Sequence, residues 1–210
     1  MSSALAPINV TGGTAKGSIE GVDGFCFTES YFAANSGRAS SWSALLRAAK
    51  DPSASERGWD SLRRVCDRGT ANVGRRVRFL TRVDAIVSVP SRRCRLQRRG
   101  MSLPDEFGRA LHDSLGFRYE PDALVSAIDH IEIKRIPIES RRLAVAGTFA
   151  VNISNLAGKS VLLVDDISTS GATLTECAQQ LRNAGVVAVF AYALGRTVCL
   201  RSLVSQSLER

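Results

Sequence analysis

The densest concentration of chemistry in this chain lies at Asp165-Asp166-Ile167-Ser168-Thr169-Ser170-Gly171-Ala172-Thr173. Two adjacent carboxylates follow the apolar run Val161-Leu162-Leu163-Val164, and a hydroxyl-rich segment follows them. Successive backbone N–H groups in such a loop form an anion-binding concavity. A helix opening directly after it adds unsatisfied N–H groups and the positive end of its dipole. Ser168, Thr169, Ser170 and Thr173 can supply hydroxyl donors, and Gly171 lets the backbone approach a ligand with no Cβ in the way. The carboxylates only accept, so they suit sugar hydroxyls or metal-bound water and not phosphate. Residue chemistry alone therefore describes a site for a sugar phosphate.

Such a site needs a strand to deliver the acids and a helix to receive the loop. Val161 to Val164 reads as a buried strand, and Leu174, Cys177, Ala178 and Leu181 mark the inner face of the helix, which Gly185 closes. Val186 to Tyr192 reads as the next buried strand. Upstream, Ala85 to Val89 is a β-branched run stopped by Pro90. After a basic loop, Ser102 caps a helix with Asp105 three residues on, Pro104 suits its first turn, Phe107, Leu111 and Leu115 form a stripe, and Gly116 ends it. Short strands are expected near Leu124 and Ile131 and over Phe149 to Ile153. Strands separated by helices at these distances imply an α/β fold with a doubly wound, mainly parallel sheet. Ligands of such sheets sit beyond the carboxyl ends of the strands, where the acid pair and loop fall.

The first third is less legible. Residues 1–21, rich in Gly, Ser, Thr and Ala, are expected to be loosely ordered. Val22 to Phe32 reads as an irregular strand. Ser41 to Lys50 and Ser55 to Arg68 read as helices, the second with Trp59, Leu62, Val65 and Cys66 on one stripe. The expected organisation is a mostly helical extension over 1–80 packed on a core at 81–200, with a tail at 201–210.

Composition narrows the function class. Net charge is +8, and Arg92, Arg93, Arg95, Arg98 and Arg99 crowd into eight positions. That excess favours anionic partners, either phosphorylated metabolites or nucleic acid. The five cysteines are scattered with no CxxC pair, and the two histidines are far apart, which argues against a structural zinc site and for free thiols. The longest apolar run, Val186 to Leu194, is too short to cross a bilayer, and no secretory signal is visible. The cytoplasm is the default compartment.

At the segment with the most chemistry the sequence resembles a known family. VLLVDDISTSGATL, 14 consecutive positions, is similar to the phosphoribosyl pyrophosphate (PRPP) motif of type I phosphoribosyltransferases. VSVPSRR resembles that family's pyrophosphate loop, and RRGMSLPDEFGRALHDSLG sits where its mobile loop and helix are expected. With GTFAV at Gly147 to Val151, the order of pieces over about 83–196 is most like the ComF-type competence-protein subgroup. The subgroup's amino-terminal zinc ribbon is missing, its RGFNQ-like run reads Arg99-Gly100-Met101-Ser102-Leu103, and the asparagine before GTF is Ala144.

The resemblance implies transfer of a 5-phosphoribosyl group to an unidentified acceptor with release of pyrophosphate. Asp165 and Asp166 would be the catalytic acids, contacting the ribose hydroxyls directly or through Mg²⁺ and its waters. Ser168, Thr169, Ser170, Gly171, Ala172 and Thr173 would bind the 5-phosphate. Ser91, Arg92 and Arg93 would hold the pyrophosphate, with Arg99 closing over it. Thr169 stands where 6-oxopurine enzymes of the family carry a third acid, so a hypoxanthine- or guanine-type acceptor is not expected. The partners implied are PRPP and a small acceptor, with no membrane, and with room for a homodimer.

Rival readings are weaker. Gly158-Lys159-Ser160 lacks the earlier glycine and the following helix of a P-loop. LLVDD also opens receiver domains, but only 44 residues follow Asp166, too few for that fold. The alternative kept is a non-catalytic PRPP sensor or a nucleic-acid-associated, competence-type protein, motivated by the arginine cluster.

Overall fold

The structure, a computed structural model, describes residues 19–34, 36–38, 40–76, 82–127, 136–137, 140–152 and 154–198. The expectations for 1–18, for a strand near Ile131 and for the 201–210 tail fall outside those residues. Five strands form one parallel sheet in the order β1-β7-β6-β2-β3. They are β1 (Gly24–Tyr31), β2 (Ala85–Ser88), β3 (Arg118–Glu120), β6 (Ser160–Ser168) and β7 (Ala188–Thr197). A separate antiparallel pair joins β4 (Leu124–Ser126) to β5 (Phe149–Val151), with the short helix α5 (Arg141–Val145) between them in sequence. The expected α/β class with a mainly parallel sheet is what the chain adopts.

Period-two alternation along the central strand explains how both faces are filled. Val161 and Leu163 of β6 pack with Leu174, Cys177, Ala178 and Leu181 of α6 (Ala172–Asn183). Leu162 and Val164 face the opposite layer, made by α1 (Ser41–Ala49), α2 (Gly58–Arg76) and α4 (Leu103–Leu115). Trp42 of α1 is fully buried there, its indole N–H donating to the Leu194 carbonyl at 3.0 Å. A glycine inside α2 has a packing cause. A Cβ on Gly69 would come within 2.7 Å of Phe107 and 2.6 Å of Leu194, so only glycine lets the helix lie this close.

The helix over Leu103–Leu115 starts as expected, with the Ser102 hydroxyl accepting from the Asp105 amide and Gly116 ending it at φ +73°. Other expectations are corrected. The basic stretch after β2 is not a loop but a short helix, α3 (Arg93–Arg99), with no buried residue and Gly100 at its left-handed end. Trp59 stands in the first turn of α2, ahead of the stretch that packs on the sheet, and is 59% exposed instead of lying on the inner stripe. Leu115 is likewise exposed in the last turn of α4. The last strand is longer than its apolar run and reaches Thr197. The strand expected over Val22 to Phe32 does form, as β1, and it is an edge strand paired in parallel with β7. No helix among the described residues is long and apolar enough to cross a membrane.

Candidate anion and sugar site

Because the sheet is parallel, the carboxyl ends of β1, β7, β6 and β2 open on one edge, and a cleft of about 660 Å³ lies there. Its walls carry Tyr31 from β1, Pro90, Ser91 and Arg92 after β2, the end of β6 with its following loop, and Thr197 from β7. The strand β6 runs past its apolar stretch and delivers Asp165 and Asp166 into this cleft.

Two features of the loop after β6 suit an anion. Gly171 sits at the helix N-cap with φ +82°, a left-handed conformation that turns the chain sharply into α6. No side chain caps the helix there. Among the described residues the Thr173 and Leu174 amides, in its first turn, have no acceptor, and the Ala172 amide has the Ser170 hydroxyl at 3.3 Å. Ser168, Thr169, Ser170, Gly171, Ala172 and Thr173 all line the cleft. Two cross-strand bonds hold the loop. Thr169 and Thr197 share a hydroxyl–hydroxyl bond of 2.9 Å, and the half-buried Arg196 guanidinium donates to the Ser168 hydroxyl at 2.7 Å while lying over the Phe25 ring.

The acid pair is asymmetric. Asp165 is 8% exposed, and its carboxylate accepts from the Asp166 amide at 2.8 Å. Burial first, and the neighbouring Asp166 carboxylate second, push its carboxyl up from 3.8 to about 7. Asp166 is instead ion-paired. Its Oδ2 lies 2.6 Å from the Lys50 ammonium, with the two side chains 23% and 15% exposed. Two carboxylates do not make a protein metal cage, and among the described residues no group of three or more His, Cys, Asp or Glu could hold an ion. They do fit Mg²⁺ that keeps its waters and takes its other ligands from substrate phosphates.

The opposite wall is basic. Ser91 and Arg92 line the cleft, and Arg95 joins them, whereas Arg93 and Arg99 are not part of that lining. Arg93 is exposed on α3. Arg99 is half-buried, and its Nε has no partner among the described residues; burial and the neighbouring cations Arg98 and Arg95 lower its pKa, while Asp166 and Asp51 oppose them. The Ser91 hydroxyl donates to Ser102 at 2.9 Å, tying the loop after β2 to the cap of α4. Beneath it, Tyr119 donates to Asp105 at 3.1 Å and Ser88 donates to the same carboxylate, so that strand and helix are locked together.

Lys50, Tyr31 and Thr197 were not foreseen. Tyr31 and Thr197 close strands and carry no motif. Lys50 ends α1, 116 residues before Asp166 in sequence, and only the helix packing beside the sheet brings them together.

Residues 106–201 match the family described as phosphoribosyl transferase domain. The chain is 30% identical over 128 residues to the DNA utilization protein YhgH of Escherichia coli K12, covering 59% of this chain and 54% of that protein. The match thus spans about half the length of that curated relative. A shorter match, 42% identical over 43 residues, covers 20% of this chain and 21% of the transcriptional regulator GfcR of Methanococcoides burtonii. Among solved structures, glutamine PRPP amidotransferase from B. subtilis is 16% identical at a TM-score of 0.43, over 64% of this chain and 26% of that one. A purine phosphoribosyltransferase from Pyrococcus horikoshii is 15% identical at 0.38, over 67% and 88%. The family match and the curated relative uphold the resemblance read from the sequence, to type I phosphoribosyltransferases and among them the ComF-type subgroup.

Proposed function

We propose, from the phosphoribosyl transferase domain that residues 106–201 carry, that this protein binds PRPP in the cleft and transfers its 5-phosphoribosyl group to a small acceptor. The observation that carries this reading is the juxtaposition on one sheet edge of the uncapped α6 start and the acid pair. The amides of Thr173 and Leu174 and the loop hydroxyls would hold the 5-phosphate, with Gly171 permitting the approach. Asp165 and Asp166 would receive the ribose hydroxyls and, with substrate phosphates, hold Mg²⁺, which when bound supplies charge neutralisation of the pyrophosphate. Ser91, Arg92 and Arg95 would take the leaving pyrophosphate from the other wall. Fixed donors would stabilise the negative charge that builds on pyrophosphate as the C1–oxygen bond breaks, positive charge develops on the ribose, and the acceptor forms the new bond to C1.

The acceptor is unassigned. Thr169 supplies no base, and its hydroxyl is engaged by Thr197. That supports an acceptor other than a 6-oxopurine. Replacing both acids, Asp165→Ala with Asp166→Ala, should abolish Mg²⁺-dependent PRPP binding by calorimetry. Unchanged binding in the double variant would sink the reading.

A second reading has one observation in its favour. The helix α3 presents arginines on a surface with no buried residue, and the similar protein YhgH is named for DNA utilization. Under it, the same fold would hold PRPP as an effector while α3 contacts nucleic-acid phosphates.

A further inference from the structure

The ion pair between Lys50 and Asp166 has no need to exist for folding. A largely buried lysine–carboxylate pair gains little net stability, because desolvating both charges offsets their attraction. Yet the ammonium is not lost in the core. Lys50 lines the cleft, its side chain is 15% exposed, and of its three N–H donors one is spent on Asp166. Arg92 and Arg95 line the same cleft. Against the two carboxylates, the charged side chains lining the cleft are therefore three cations, an excess present before any metal arrives.

We propose that Lys50 is a further ligand-binding residue of this cleft, a resident cation that holds Asp166 in place and offers its remaining donors to an anionic ligand's pyrophosphate. The inference rests on the reading of the cleft as a PRPP site and adds a consequence to it. Part of the counter-charge that a divalent ion would bring is built into the chain, so the ligand binds measurably without metal. The cation comes from the end of α1, outside residues 106–201 that match the family, which gives the helical first third a direct part in the site.

Calorimetry with PRPP and with inorganic pyrophosphate, each in Mg²⁺ and in EDTA, tests this on the wild-type chain and on Lys50→Gln. Wild-type affinity for both probes should fall by no more than about tenfold in EDTA. Loss of the charge-assisted bond in Lys50→Gln should weaken EDTA binding about 10- to 100-fold, and Mg²⁺ should restore most of it. Equal affinities of wild type and Lys50→Gln in EDTA overturn the proposal while leaving the PRPP reading intact. So does wild-type binding that vanishes in EDTA, an arm that needs no variant and decides alone should Lys50→Gln not fold. Absence of PRPP binding by wild type in both buffers removes the PRPP reading itself.

Discussion

The two ends of the cleft prepare for negative charge by opposite means. Where α6 begins, Ser168 to Leu174 offer backbone amides and hydroxyls, and no ionised side chain lies in that stretch. At the other end five charged side chains meet: Lys50, Arg92, Arg95, Asp165 and Asp166. A dipolar receptor is fixed by backbone geometry and needs no counter-ion when empty. A charged receptor must manage its charges while empty: here Asp166 is paired with Lys50, and burial raises the pKa of Asp165, which leaves the cations in excess. The first end thus depends on one conformation, and the second on a balance among side chains from different elements.

The comparison breaks most sharply at Gly171. Its φ of +82° costs an L-residue about 1–2 kcal/mol, and a Cβ there would press on Ile19 at 3.1 Å. Gly171→Val should turn the first-turn amides away and weaken ribose 5-phosphate binding about 100-fold, as loss of an aimed donor does. Inorganic pyrophosphate, read at the charged end by calorimetry, should change by less than about threefold, since its side-chain ligands there do not depend on the turn at Gly171. Equal losses for both probes would show that the ends are one unit.

The difference between the ends also decides what the sequence could reveal. The loop was legible because its parts are contiguous: strand, acids, hydroxyls and glycine succeed one another from Val161 to Thr173. Ser102 and Gly116 bounded their helix for the same local reason. Lys50 was invisible, since nothing in the local pattern at the end of α1 distinguishes a cleft cation from a solvated one. The arginine run was legible as charge but not as geometry. Helical winding of α3 brings Arg95 into the cleft lining and leaves Arg93 exposed, which reading the segment as a loop could not sort. The parallel pairing of β1 with β7 was equally hidden, because partner strands are chosen by tertiary packing and not by their own residues.

A smaller effect probes the charged end in the unliganded protein. The folded pKa of Asp165, about 7, lies above its ordinary 3.8, so the folded chain holds that proton more tightly than the unfolded chain. Its contribution to stability is complete below pH about 4, declines as pH rises through the window to about 7, and is flat beyond. Asp165→Asn keeps an acceptor for the Asp166 amide and removes the charge. In EDTA it should therefore raise stability at pH 8 by on the order of 2 kcal/mol, and leave it little changed at pH 4. Urea unfolding at the two pH values measures this. A gain of equal size at both would assign the effect to packing instead of charge.

The smallest effect separates the two faces of α3. Arg95 lines the cleft and Arg93 is exposed, so the two arginines divide between the cleft and the outer surface. Arg95→Ala should weaken pyrophosphate binding about tenfold, the loss expected for a charge-assisted bond. Arg93→Ala should change it by less than about twofold, because an exposed charge is screened by solvent and salt. If α3 also contacts nucleic acid, the ranking inverts in a mobility-shift series with single-stranded DNA. Arg93→Ala combined with Arg98→Ala should then lower affinity most at low salt and flatten its salt dependence by roughly one phosphate contact per arginine. A series in which neither variant alters DNA mobility at any salt would confine the work of these arginines to the cleft. A pyrophosphate loss as large for Arg93→Ala as for Arg95→Ala would instead mean that α3 turns its outer face inward when the ligand binds.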